Sequence, residues 1–120
     1  MKPDTDTVLV LIDGGLAFAR IVGRGSFKVS GSLKEFGTRV SNQPGVRLVV
    51  DLSQCVSMDS TFMGVLAGLS FQFRKQQGAR IQLVNVTPKL QGLIATLGLN
   101  HLVDSVPEGS LPAEYAAALG

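Results

Sequence analysis

Five consecutive apolar residues, Val8-Leu9-Val10-Leu11-Ile12, open the hydrophobic pattern of this chain. A run of this kind predicts a strand buried on both faces. Asp13-Gly14-Gly15 then reads as a tight turn, and residues 16–22 return as a second strand, giving an N-terminal β-hairpin. Gly23-Arg24-Gly25 breaks that strand, and residues 26–29 read as a short extended piece. Ser32-Leu33-Lys34-Glu35 matches the S-x-x-E capping box and predicts a helix in which Leu33, Phe36 and Val40 share a face. Gln43-Pro44-Gly45 stops it.

The chain is organised around residues 46–86. Val46-Arg47-Leu48-Val49-Val50-Asp51 predicts a buried strand, followed by a polar loop over residues 52–57. A long helical pattern covers residues 60–77. Asp59 is its N-cap, because its carboxylate can accept from the free N–H groups of the first turn. Arg74 and Lys75 suit the negative end of the helix dipole, and Gly78 suits a left-handed C-cap. Phe62, Val65, Leu66, Leu69 and Phe73 form the core-facing stripe. Met63, Gly64, Ala67, Gly68 and Phe71 lie beside it, so the helix is apolar around more than half its circumference. Residues 80–86 form the next strand, and this β-α-β unit demands parallel strands.

Thr87-Pro88 starts another helix, with threonine as cap and proline in the first turn. Leu90, Leu93, Ile94 and Leu97 give its apolar face, and Gly98 its C-cap. Leu102-Val103 suffices only for an edge strand. Residues 107–112 are a linker, and residues 113–119 form a short last helix. The predicted fold is α/β: a mixed sheet of four to five strands, with helices packed against it. One domain covers residues 1–120, with its core over about 7–106.

Composition narrows the function. At 120 residues the chain can bury a sizeable core. Net charge is only +2 and the basic residues are scattered, which argues against nucleic acid as a partner. Cys55 is the only cysteine, so no internal disulfide forms and a reducing compartment fits. The polar residues 1–6 lack the apolar core of a signal peptide. No run approaches the roughly 18 uninterrupted apolar residues of a membrane span. The expectation is a cytoplasmic domain without membrane insertion; the sequence leaves its oligomeric state open.

Most catalytic chemistry lacks its parts. His101 and Cys55 are single residues without ligand partners nearby in sequence, so no metal or other cofactor is expected. Ser60 as a nucleophile would need a base, and the lone histidine is far away in sequence with no motif around it. Gly23-Arg24-Gly25 has Lys28 where a dinucleotide fingerprint needs its third glycine, and no phosphate loop exists. The chain reads as a non-enzyme. What remains is Asp59-Ser60-Thr61 at the carboxyl end of a strand, where α/β sheets collect functional groups. As plain structure it is a helix cap. As a switch, phosphate on Ser60 would add about −1.5 to −2 charges at a helix mouth that tolerates them. The fold would survive while a near-neutral surface became anionic and expelled a docked partner.

The segments Val49-Val50-Asp51-Leu52-Ser53 and Met58-Asp59-Ser60-Thr61-Phe62-Met63-Gly64-Val65-Leu66 resemble the signature of STAS domains, the anti-sigma factor antagonists. Arg80-Ile81-Gln82-Leu83-Val84-Asn85-Val86 and Leu93-Ile94-Ala95-Thr96-Leu97-Gly98-Leu99 are similar to the family's next strand and helix. The resemblance implies binding to a protein kinase that doubles as an anti-sigma factor. That kinase would phosphorylate Ser60, Asp59 would assist recognition, and a phosphatase would reverse the mark; Thr61 neighbours the phosphosite, and the sequence leaves open whether it competes as acceptor. Phe62-Met63 departs from the Gly-Leu of many members. Other members are stress-signalling scaffolds or subunits docked on transporter ATPases, without phosphorylation. Met58, Met63, Ala67 and Phe71, beside Ser60's end of the helix, are the expected partner patch.

Overall fold

A computed structural model describes residues 6–119; residues 1–5, most of the polar N-terminal segment, and residue 120 lie outside it. The elements run β1 (Thr7–Asp13), β2 (Leu16–Gly25), α1 (Phe27–Ser41), β3 (Arg47–Asp51), β4 (Cys55–Met58), α2 (Ser60–Gln77), β5 (Ile81–Val86), α3 (Pro88–Thr96), β6 (Val103–Pro107) and α4 (Ala113–Leu119). A short 3-10 turn, Leu99–His101, joins α3 to β6.

Among the described residues the sheet has six strands rather than four or five. Its order is β1-β2-β3-β5-β6, and β4 pairs with the far end of β2. β1 is antiparallel to β2, as the hairpin signal required, and every other pairing is parallel. Because the parallel strands share one direction, their carboxyl ends, and the loops leaving them, gather at one edge of the domain.

The two faces of the sheet are covered unequally. On the inner face, Ala17, Ala19, Ile21, Leu48, Val50, Ile81 and Leu83 pack with Leu33 and Val40 of α1, Leu66, Leu69 and Phe73 of α2, and Leu90 and Ile94 of α3. On the outer face α4 is the one helix that packs among the described residues, and its Tyr115 meets Phe18, Val49 and Val84. Tyr115 stands edge-on to Phe18, with ring centroids 5.8 Å apart.

The β-α-β unit follows its local signals. Asp59 caps α2, accepting from the Phe62 N–H, and Gly78 takes φ +63° as its left-handed C-cap. Thr87 caps α3 with Pro88 in the first turn. Gly98 is left-handed too, φ +73°, but it leads into the 3-10 turn, and Leu97 is the residue that ends α3.

Four expectations are corrected. The helix α1 begins at Phe27, capped by Ser26, so Ser32 and Glu35 lie within it and form no capping box. The apolar stripe explains this: Val29 extends Leu33, Phe36 and Val40 back by one turn, and all four are buried. β2 is not broken at Gly23 but runs on to Gly25. Residues 55–58, read as loop, form β4, because the extended end of β2 offers them a ladder. Finally, β1 is not buried: Leu9, Val10, Leu11 and Ile12 are between 46 and 54 % exposed. Its apolar run promises burial only where layers cover both faces, and β1 lies at their margin, at the sheet's edge, with β2 the one strand paired to it among the described residues.

Candidate functional site

Two helices begin at the same place. β2 delivers Gly25 and Ser26 to the start of α1, and β4, paired alongside it, delivers Asp59 and Ser60 to the start of α2. Asp59 ties the two together. Its Oδ1 accepts from the Phe62 N–H at 2.8 Å, capping α2. Its Oδ2 accepts from the Phe27 N–H at 3.0 Å, at the first residue of α1. Its own N–H donates to the Gly25 carbonyl at 2.9 Å. The positive ends of two helix dipoles therefore converge on one carboxylate. The sequence revealed the first of these bonds; the second joins residues 32 positions apart and leaves no local signal.

Ser60 stands in the first turn of α2, exposed, and Thr61 beside it is exposed as well. Phe62 does not stand in a partner's way, because its ring is fully buried and packs against Gly25. A Cβ on Gly25 would lie 3.0 Å from that ring and 3.2 Å from the Met58 side chain, so the close approach of α2 to β2 needs glycine there. Around Ser60 the surface is mixed. A cleft of about 370 Å³ is lined by Arg24, Phe27, Lys28, Ser57 and Asp59. The Arg24 guanidinium also pairs with Asp6 at 3.2 Å. Behind Thr61, a groove of about 210 Å³ runs between α1 and α2, past Lys34, Gly64 and Gly68.

The expected partner patch is corrected in part. Met58 and Met63 are each only 6 % exposed and belong to the inner core, as their positions over the sheet dictate. Ala67 is half-buried against that core. Phe71 is 55 % exposed but sits three turns along α2 from Ser60. The apolar side chains open to solvent near the mouth are instead Phe27 on α1 and Val56 on β4, 68 % and 60 % exposed. Sequence reasoning missed both, because the start of α1 and the existence of β4 were missed.

The loop below the mouth is held by a buried charge. Asp51, at the carboxyl end of β3, is fully enclosed. Arg20 Nε donates to its Oδ2 at 2.7 Å, Asn85 Nδ2 to Oδ1 at 2.8 Å, and the Ser53 N–H and hydroxyl both donate at 3.0 Å. Arg20 also reaches the Leu119 carbonyl of α4. Burial pushes the Asp51 pKa up, but the bonds from Asn85, Arg20 and Ser53 outweigh it and hold it below the ordinary carboxylate value. Asn85 adopts φ +57°, a left-handed conformation that asparagine tolerates better than most residues, where β5 slips register against β6. Burial pushes the Cys55 thiol's pKa up, and its hydrogen bonds to Gly25 and Ser57 only partly offset this.

Other candidates stand apart. His101 is exposed and precedes β6, at the amino end of the parallel strands, whereas Ser60 follows β4 at the carboxyl end. Among the described residues no group of three His, Cys, Asp or Glu is placed to hold a metal ion. Among them, too, no helix is long and apolar enough to cross a membrane.

A mixed six-stranded sheet with parallel β-α-β crossovers and four helices, among the described residues, matches the SpoIIAA/STAS fold. The chain belongs to the STAS domain family: its residues 19–104 match the family model described as Mlab, STAS domain. Three solved structures share its fold. An anti-sigma factor antagonist from Mycobacterium paratuberculosis is 22 % identical, with a TM-score of 0.73 over 98 % of this chain and 96 % of that one. The Bacillus cell fate determinant SpoIIAA in its phosphorylated form is 15 % identical, with a TM-score of 0.68 over 93 % of this chain and 97 % of that one. A sulfate transporter family protein from Wolinella succinogenes is 19 % identical, with a TM-score of 0.70 over 91 % of this chain and 90 % of that one. No curated protein matches the sequence.

Proposed function

We propose that this domain is an anti-sigma factor antagonist switched at Ser60. It binds a serine protein kinase that doubles as an anti-sigma factor, loses that grip when Ser60 is phosphorylated, and is restored by a phosphatase. All of this takes place in the cytoplasm, where kinase and antagonist meet. One observation carries the reading: Ser60 is exposed at the point where the amino ends of α1 and α2 converge. A phosphoryl group there gains from both helix dipoles, so the fold tolerates it. Both oxygens of the neighbouring Asp59 already accept backbone bonds, which limits the repulsion a phosphate on Ser60 would meet. A partner lying over Phe27 and Val56 would have to bury the new charge or leave. The Bacillus determinant of the same fold, solved in its phosphorylated form, supports the reading.

Phosphopeptide mapping of the protein from its native cells tests it. Phosphate on Ser60, together with a kinase that binds the wild type and not Ser60→Asp, is the expected result. Equal binding of the kinase to both would defeat the switch. A second reading is favoured by the Mlab description of the matching family model and by the sulfate transporter likeness. In it the same helix mouth docks on a transporter ATPase or a signalling scaffold, with Asp59-Ser60 as a plain helix cap. Co-purification of an ATPase, with Ser60 unmodified under every growth condition, would choose it.

A further inference from the structure

The two edges of the sheet are built differently. β6 carries the devices that keep an edge from pairing: it holds the exposed Asp104, paired with Arg80 at 2.9 Å, it ends at Pro107, and its register with β5 slips. Apart from the exposed Asp13 at its last position, β1 has none of these. Its seven residues, Thr-Val-Leu-Val-Leu-Ile-Asp, pair with β2 without a break and include no proline, lysine or arginine. Its four central residues are exposed on both faces: Val10 and Ile12 on the helix side, Leu9 and Leu11 on the α4 side, where they border a hollow of about 100 Å³ with Phe18, Ala118 and Leu119. A long, flat, apolar edge is a template for another strand.

We propose that β1 is the edge through which two copies of this domain associate, pairing antiparallel about a two-fold axis at Val10. The sequence of the strand selects a second copy over a foreign strand, because it is complementary to itself in that register. Val10 faces Val10, Leu9 faces Leu11, and Val8 faces Ile12, so every apolar residue meets an apolar residue on the same face. At each end the Thr7 hydroxyl faces the Asp13 carboxylate and can donate to it, leaving no charge opposed by its like. Such an interface is isologous and closes, so it makes dimers and not fibres. The two sheets become one continuous sheet. The α2 mouth follows β4, at the far end of β2 from the β1–β2 turn, so the proposal stands or falls independently of the Ser60 reading. A single strand pair with its flanking side chains buries less than about 1,200 Å², which sets the association in the weak, micromolar class.

Sedimentation velocity from about 1 µM to 1 mM, on the full chain, reads the association. The expected result is a monomer–dimer equilibrium that Val10→Lys shifts toward monomer by at least about tenfold in Kd, with an unchanged circular dichroism spectrum since Val10 is exposed. Cysteine placement then tests the register. Paired residues in an antiparallel ladder have Cα atoms about 4.5–5.5 Å apart, within disulfide reach. Val10→Cys should therefore cross-link to itself, whereas Val8→Cys to Val8→Cys would have to span roughly 14 Å. A mixture of Val8→Cys and Ile12→Cys should give the mixed disulfide. Cys55 is buried, and peptide mapping separates it from the new bonds. A monomer throughout the concentration range would overturn the proposal. So would a dimer indifferent to Val10→Lys, or cross-linking equally efficient at Val8, Val10 and Ile12.

Discussion

The inner and outer faces of this sheet are stabilised by different physics. Inside, three helices bury a continuous aliphatic layer, and the contributions come from area and packing. Outside, one seven-residue helix covers Phe18, Val49 and Val84, and the rest of the face is fastened by polar groups: Arg20 to Asp51, Asn85 to Asp51, Tyr115 to Gln82, Arg20 to the Leu119 carbonyl. A helix as short as α4 has little intrinsic stability, so specific bonds must hold it to the sheet. The inner face therefore tolerates conservative apolar change and punishes lost volume. The outer face punishes the loss of single polar atoms.

The largest effect belongs to the inner face. Phe73 is fully buried between α2 and the sheet, and Phe73→Ala should destabilise the domain by about 4 kcal/mol through lost transfer energy and the cavity left behind. Urea denaturation measures it. A loss under about 1.5 kcal/mol would mean that the helices collapse into the space, and that the inner layer is looser than its burial implies.

Asp51 comes next, and it sets the pH dependence of the outer face. Asp51→Ala removes Arg20's counter-ion and strips Asn85 and Ser53 of their acceptor, for a loss of roughly 3 kcal/mol. The sign with pH follows from the lowered pKa. Since the folded value lies below the unfolded one, the unfolded chain binds more protons in acid. The carboxylate's stabilisation is complete above about pH 5 and is lost as pH falls through the folded value. The gap in urea midpoint between wild type and Asp51→Asn should be widest near pH 7 and should narrow steadily below pH 4. A gap constant with pH would show that the charge contributes nothing.

This contrast also marks what the sequence discloses. The β-α-β unit was legible because each signal acts within a few residues: Asp59 caps the Phe62 N–H, Gly78 turns left-handed, and Thr87-Pro88 opens α3. The candidate serine was legible for the same reason. The start of α1 was within reach too, since Val29 continues the stripe of Leu33, Phe36 and Val40, but the S-x-x-E match competed with it and lost to the burial of a whole extra turn. Other features were not there to be read. β4 exists only because the end of β2 offers it a ladder, and the second cap made by Asp59 exists only because β4 lies beside β2. Val8 to Ile12 signalled a strand correctly but could not signal its position, because an apolar run has the same pattern in mid-sheet and at an edge awaiting a partner.

Asn85 separates backbone strain from side-chain bonding on the outer face. Its left-handed backbone is tolerable for asparagine, free for glycine and strained for alanine. Its amide donates 2.8 Å to Asp51. Asn85→Gly should therefore lose chiefly the bond to the charged carboxylate, about 1.5 kcal/mol, and Asn85→Ala about 1 kcal/mol more. Equal losses would mean that the φ carries no strain once the side chain is gone.

The smallest expected effect is the loss of a single hydroxyl on α4. Tyr115 hydrogen-bonds Gln82 through its hydroxyl while its ring packs on Phe18. Tyr115→Phe keeps the ring and removes the bond, and because Gln82 is only half-buried, water can replace the lost partner. The expected loss is roughly 0.5–1 kcal/mol by urea denaturation, whereas Tyr115→Ala should lose about 3 kcal/mol by uncovering Val49 and Val84. The ratio decides how the outer face is held. If Tyr115→Phe is as damaging as Tyr115→Ala, α4 hangs on its hydrogen bonds, and the short helix acts as a polar clasp. If Tyr115→Phe is silent, the ring alone anchors α4, and the outer face follows the same rule as the inner one with a smaller area.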